Sequence, residues 1–132
     1  MIVEVLVTVL CGVGLYASLF MLEKARQAAR GRLAEPSVVQ TPRAHLFGRV
    51  SNALLGAWYY PAAAVAVWLP LRPELSLLVF ALVVLAGGTS VVLAYSLLFV
   101  TRRSCAYCWT SHAINWSLVV LWAVHAWHAG SR

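Results

Sequence analysis

Two cysteines, Cys105 and Cys108, stand at the start of a long apolar run, in Ser104-Cys105-Ala106-Tyr107-Cys108-Trp109-Thr110-Ser111-His112-Ala113-Ile114-Asn115. The C-x-x-C spacing lets them close a small disulfide ring or supply two ligands to a metal. A helix beginning here offers unpaired N–H groups and a partial positive charge to a thiolate. Such a thiol is more acidic and more reactive than an ordinary one. Arg102 and Arg103, just upstream, act in the same direction. His112 follows Cys108 by one helical turn and Asn115 by two, on the same face. Polar side chains inside an apolar helix are costly and mark functional positions. The pattern reads as a redox dithiol facing a polar notch.

Other chemistry fits less well. Cys108 and His125 lie on one apparent helix, roughly 25 Å apart at about 1.5 Å per residue. They do not share a zinc ion, so no metal is expected. A static staple is the plain alternative to a redox pair, and the position at a helix start favours redox. Cys11, in the first apolar run, reads as a buried and inert packing residue.

The elements that must position these residues are apolar. Of 132 residues, 62% are hydrophobic and 11% charged, whereas soluble domains carry about 25% charged residues. The class is therefore an integral membrane protein. Six tryptophans and five tyrosines suit interfacial belts. The net charge of +6 sits between apolar runs, which points to lipid headgroups and not to nucleic acid. The first run lacks a basic lead and an A-x-A exit, so it reads as a span and not a cleaved signal.

Four spans are expected, at 5–22, 50–69, 75–101 and 104–130. Gly12 and Gly14 in the first, and Gly87, Gly88 and Ser90 in the third, are small residues that allow close helix approach. Gly31 should end an extension of the first helix. Residues 32–49 form a polar connection in which Pro36 and Pro42 oppose regular helix. Pro61 lies inside the second span, where bundles tolerate it. Trp58, Tyr59, Tyr60 and Trp68 read as packing or interface residues. The fold class is all-α, a single up-and-down four-helix transmembrane bundle spanning 1–132.

With these residues in hand, the chain resembles the vitamin K epoxide reductase family. Ser51-Asn52-Ala53-Leu54-Leu55-Gly56 is similar to the segment opening that family's second helix. Leu85-Ala86-Gly87-Gly88 and Tyr95–Phe99 resemble its third helix. Cys105-Ala106-Tyr107-Cys108 matches its active-site motif, and Ala113-Ile114-Asn115 the stretch that follows. Gln40–Gly48 resembles the end of its first loop. The resemblance implies a bundle around a quinone, menaquinone or ubiquinone. It implies that Cys108 faces the quinone, that Cys105 exchanges disulfides, and that Asn52, His112 and Asn115 line the cofactor site. His112 stands where the family has a tyrosine. The family's loop cysteine pair has no counterpart, because no cysteine lies between Cys11 and Cys105.

The expected function is a thiol:quinone oxidoreductase of the cell membrane that oxidises a thioredoxin-like protein. The alternative is a non-catalytic or accessory subunit of a larger membrane complex. Lys24, Arg26, Arg30, Arg32, Arg43, Arg49, Arg102 and Arg103 fall on the dithiol side of the bundle, and Arg72 and Arg132 on the other. Charge bias therefore puts the dithiol in the cytoplasm. Relatives that oxidise exported proteins put it outside, where disulfides persist. The two arguments oppose each other.

Overall fold

The computed structural model describes residues 1–33, 37–47 and 50–130. Pro36, Gly48, Arg49 and Arg132 lie outside the described residues. Four long helices dominate: α1 (Ile2–Ala29), α2 (Asn52–Ala66), α3 (Pro73–Tyr95) and α4 (Ala106–Gly130). Two of the helical segments, Ile2–Ala29 and Pro73–Thr101, are long and apolar enough to cross a membrane. Large apolar side chains cover the outer faces: Leu77 is 68% exposed, Leu85 66% and Val120 62%. A water-soluble monomer seldom exposes contiguous apolar surface on this scale. The chain is a membrane protein with an all-helical architecture, apart from one small hairpin.

Local sequence explains where the helices stop and start. α1 ends in a Schellman turn. Gly31 takes φ +66°, Arg32 N donates to Gln27 O at 2.9 Å, and Gly31 N donates to Ala28 O at 3.0 Å. Those two bonds satisfy carbonyls that would otherwise be orphaned. α2 opens at Asn52, two residues later than expected from hydropathy, because Ser51 is its cap. The Ser51 hydroxyl accepts from Leu54 N at 3.1 Å. α2 continues through Pro61, which removes one intrahelical bond. Pro73 starts α3, where its missing N–H costs nothing.

The end of the third span departs from a simple helix. Ser96–Thr101 is π-helical, and Arg102 follows with φ 50° and ψ 37°. That left-handed residue reverses the chain, so α4 starts at Ala106 and not at Ser104. The connection after α1 is also more ordered than its two prolines suggest. It holds two 3-10 turns, Val38–Gln40 and Pro42–Ala44. It then forms an antiparallel hairpin of β1 (His45–Phe47) with β2 (Val50–Ser51), with His45 opposite Ser51. Ser37 N donates to Gln40 Oε1 at 3.0 Å. Val39 is buried, and its turn rests on α1.

α1 packs along both α2 and α4, and α4 packs along α3. The common core holds Val7 and Cys11 from α1, Tyr60 and Ala63 from α2, Val83 from α3, and Ile114, Leu118 and Trp122 from α4. Where lipid replaces water, burying such side chains gains little hydrophobic free energy. Close packing and interhelical hydrogen bonds then decide which helices meet. Gly14 supplies one such approach. A Cβ placed there would lie 2.6 Å from the Tyr60 ring. Gly87 does the same against Val119, with a Cβ at 2.7 Å from its side chain. Gly12 and Gly88, expected from sequence to share this role, face open space instead.

Gly14→Ala should therefore lower the unfolding midpoint in detergent, at the roughly 1–3 kcal/mol typical of overpacking. Gly12→Ala should be neutral, or stabilising by up to about 1 kcal/mol through helix propensity. Thermal or denaturant melts of the two variants compare them. Equal effects would show that Gly14 is not a contact point.

Candidate dithiol site

Cys105 and Cys108 are joined by a disulfide, with Cα atoms 5.2 Å apart. Cys105 precedes α4, and Cys108 sits in its first turn. The Cys108 backbone N–H donates to Cys105 Sγ at 3.2 Å. Cys105 thus takes the position of an N-cap, with sulfur in the place usually held by a hydroxyl oxygen. The unpaired amides and the positive end of the helix dipole are close to both sulfurs. Both cysteines are half-buried.

The residues between the cysteines hold this turn against the neighbouring helix. The Tyr107 ring stacks on Phe20 of α1, centroid to centroid at 4.0 Å and 18°. Tyr16, one turn earlier on α1, tilts towards the same ring at 6.5 Å. Lys24 Nζ lies 6.0 Å above the Phe20 ring. The sequence reading gave Tyr16, Phe20 and Tyr107 no role. Their only signal was the Tyr16/Phe20 spacing of one helical turn.

His112 lies one turn below Cys108 and is 7% exposed. Trp109 meets its ring edge-on at 6.1 Å, and Trp116 stacks at 6.3 Å and 26°. Its Nδ1 is buried and has no hydrogen-bond partner among the described residues. Burying a polar atom without a partner costs free energy. This nitrogen is thus a place where a ligand could be held. The Tyr59 hydroxyl is a second buried atom of the same kind.

Asn115 has a different environment. Its Nδ2 donates to Ser90 Oγ of α3 at 2.7 Å. Its Oδ1 accepts from Tyr60 Oη of α2 at 3.1 Å. The same Tyr60 hydroxyl lies 3.5 Å from the Ser111 carbonyl. One amide thereby ties three helices together. Tyr60, read from sequence as packing, is a partner in this tie, and Ser90 contributes a hydrogen bond as well as a small volume.

Asn52 opens α2 and is half-buried. α2 and α4 both start at the end where α1 finishes, so the topology puts Asn52 at the dithiol end of the molecule. Cys11 is a free thiol in the core, 1% exposed. His125, at the far end of α4, has Nδ1 3.5 Å from Glu4 Oε1 of α1. Trp68 Nε1 donates to Thr8 Oγ1 at that same far end, at 2.9 Å.

The sequence model of the vitamin K epoxide reductase family matches residues 5–123. That range takes in α2 and α3 whole, most of α1 and α4, and every residue of the site. No curated protein matches the chain.

The tie around Asn115 makes a prediction. Tyr60→Phe removes one hydroxyl and should cost about 1 kcal/mol. Asn115→Ala breaks both of its bonds and should cost more. A double-mutant cycle on Tyr60 and Asn115 should give a coupling near 0.6 kcal/mol, typical of interhelical bonds in a bilayer. Additive losses in unfolding titrations would show the pair to be uncoupled.

Proposed function

The chain belongs to the vitamin K epoxide reductase family, and from that premise we propose a membrane thiol:quinone oxidoreductase with Cys105 and Cys108 as its redox pair. Family membership carries oxidoreductase activity in general and a membrane setting. The finer reading rests above all on one observation: a disulfide at the first turn of α4, one turn above a buried, unpartnered imidazole nitrogen. We read the four helices as a multi-pass transmembrane bundle, each helix being one span.

The residues present fit a quinone. His112 Nδ1 has no partner among the described residues, and a carbonyl oxygen satisfies it when that nitrogen carries the proton. His112 and Asn52 would hold the ring. Asn115, engaged by Ser90 and Tyr60, acts as a positioning residue for the face that carries them. The chemistry a bound quinone supplies is acceptance of two electrons and two protons, which returns the pair to its disulfide. Menaquinone and ubiquinone both present the required carbonyls.

The chain's own steps concern sulfur. A thiolate of a thioredoxin-like partner attacks Cys105 Sγ, and the Cys105–Cys108 bond breaks. Cys108 leaves as a thiolate, stabilised by the first-turn amides and the helix dipole. The partner's second thiol then attacks the mixed disulfide and releases Cys105. The partner ends with a disulfide, and Cys105 and Cys108 end as a dithiol. Cys105 suits the exchange role because it follows the exposed Arg102-Arg103-Ser104 reversal. Cys108 suits the inner role because it shares a helix face with buried His112.

One observation favours a second reading, the accessory subunit. No cysteine lies between Cys11 and Cys105, so there is no relay within the chain. Direct exchange at Cys105 is the alternative to such a relay, and trapping tests it. Cys108→Ser should accumulate a mixed disulfide between Cys105 and a thioredoxin-like protein, and Cys105→Ser should trap far less. Equal trapping, or none with any donor, favours the accessory subunit.

The cofactor residues are tested by quinone reduction with dithiol as donor. His112→Ala and Asn52→Ala should each weaken the reaction about fivefold, the value of one hydrogen bond near 1 kcal/mol. The disulfide should still form in both. His112→Tyr should retain more activity than His112→Ala. Wild-type rates and affinities in both alanine variants would move the quinone site elsewhere.

A further inference from the structure

A groove of about 410 Å³ opens beside the dithiol, lined by Leu97, Leu98, Arg102, Arg103, Ser104 and Trp109. It lies between the end of the π-helical segment and the first turns of α4. Its composition is divided. Exposed Leu98 and half-buried Trp109, with Leu97 buried behind them, make an apolar wall, and two guanidiniums with a hydroxyl make a polar rim. Arg102 and Arg103 are exposed. Neither pairs with a carboxylate among the described residues. Arg102 Nε donates to the Phe99 carbonyl at 3.4 Å.

We propose that this groove binds an anionic phospholipid, with the phosphate on Arg102 and Arg103 and an acyl chain along Leu98 and Trp109. Depth supports this occupant. Arg102 follows directly on the apolar segment Pro73–Thr101, so the cations stand where hydrocarbon gives way to headgroups. Charge supports it as well. Unpaired basic residues between membrane helices attract anionic headgroups, and the guanidinium fork matches phosphate oxygens. Tryptophan belongs at the same level. An acidic protein face would satisfy the two arginines equally well. It would not account for an apolar wall running down from them along the membrane helices.

The backbone provides an unusual control. Arg102 holds φ 50°, a region that glycine enters without steric cost and arginine does not. Arg102→Gly therefore removes the charge while relieving the backbone. Loss of binding in that variant does not come from loss of the turn. The inference requires only that the chain sits in a bilayer, and it stands or falls apart from the redox reading.

The test is native mass spectrometry of the full chain in detergent, with phosphatidylglycerol against phosphatidylcholine of the same acyl chains. The wild type should prefer phosphatidylglycerol by roughly thirtyfold, the value expected for two charges at the membrane surface. The doubly substituted chain, Arg102→Gly with Arg103→Gln, should bind the two lipids within a few-fold of each other. Neutralising Arg26 and Arg30, basic residues at the same end, should leave the preference intact. Glycerol 3-phosphate in excess should not displace the lipid. Equal binding of both lipids by the wild type overturns the proposal. So does a preference that survives in the Arg102/Arg103 variant, or one that collapses equally when Arg26 and Arg30 are neutralised. Displacement by glycerol 3-phosphate would make this a soluble-phosphate site. If that variant keeps its lipid preference but exchanges disulfides more slowly with a thioredoxin-like protein, the groove is a protein docking face instead.

Discussion

The amide of Asn115 is the point at which three helices are tied. Its donor reaches Ser90 on α3 and its acceptor takes the Tyr60 hydroxyl from α2. In water, apolar burial would hold these helices together. Among lipid tails that drive is weak, and specific polar bonds with close contacts decide the arrangement. Tyr60 links both kinds of restraint. Its hydroxyl bonds to α4, while its ring lies where only the missing side chain of Gly14 leaves room on α1. The position of α4 is therefore set from two sides. Cys108 and His112 lie on the same helix, on the turns above, so their placement follows from it.

The dithiol is fixed at its other end by aromatic contact. Tyr107 is sandwiched into the turn between the two cysteines and rests on Phe20. Cys105 has left the helix and Cys108 has entered it, with one N–H to sulfur bond across the boundary. The two sulfurs thus differ in their surroundings although they are three residues apart. One follows a charged, exposed reversal, and the other begins a buried face. This asymmetry suits the exchange and inner roles proposed for the two cysteines, without any change in residue type.

Much of this was legible in the residues and some was not. The C-x-x-C at a helix start, the one-turn step to His112 and the stop at Gly31 are local patterns, and local patterns can be read from sequence. Gly12 and Gly14 are the same residue in the same helix. Only the register of α1 against Tyr60 makes one a contact and leaves the other facing open space. Tyr60 in an apolar run gave no hint that its hydroxyl bonds to Asn115, because that partner is brought close only by tertiary packing. The 3-10 turns and hairpin between α1 and α2 are too short to produce a periodic signal. The π-helical segment and the left-handed Arg102 leave none either, since the left-handed position holds arginine and no glycine or proline marks Ser96–Arg102. His112 stood out as polar, but that its Nδ1 is buried with no partner among the described residues emerges only from the folded chain.

The helices also differ greatly in length. α1 has 28 residues and α2 has 15, so at about 1.5 Å per residue they measure about 42 Å and 22 Å. The hydrocarbon layer of a typical bilayer is about 30 Å thick. The apolar part of α1, residues 5–22, measures about 27 Å and matches that layer, with the charged stretch Glu23–Arg26 beyond it, whereas α2 is shorter than the layer. With α2 as one span, as proposed above, lipids beside it would have to shorten or splay. On that reading the protein would be thinner on the α2 side than elsewhere. It would favour thin or locally thinned regions and draw neighbours whose own lengths relieve the step.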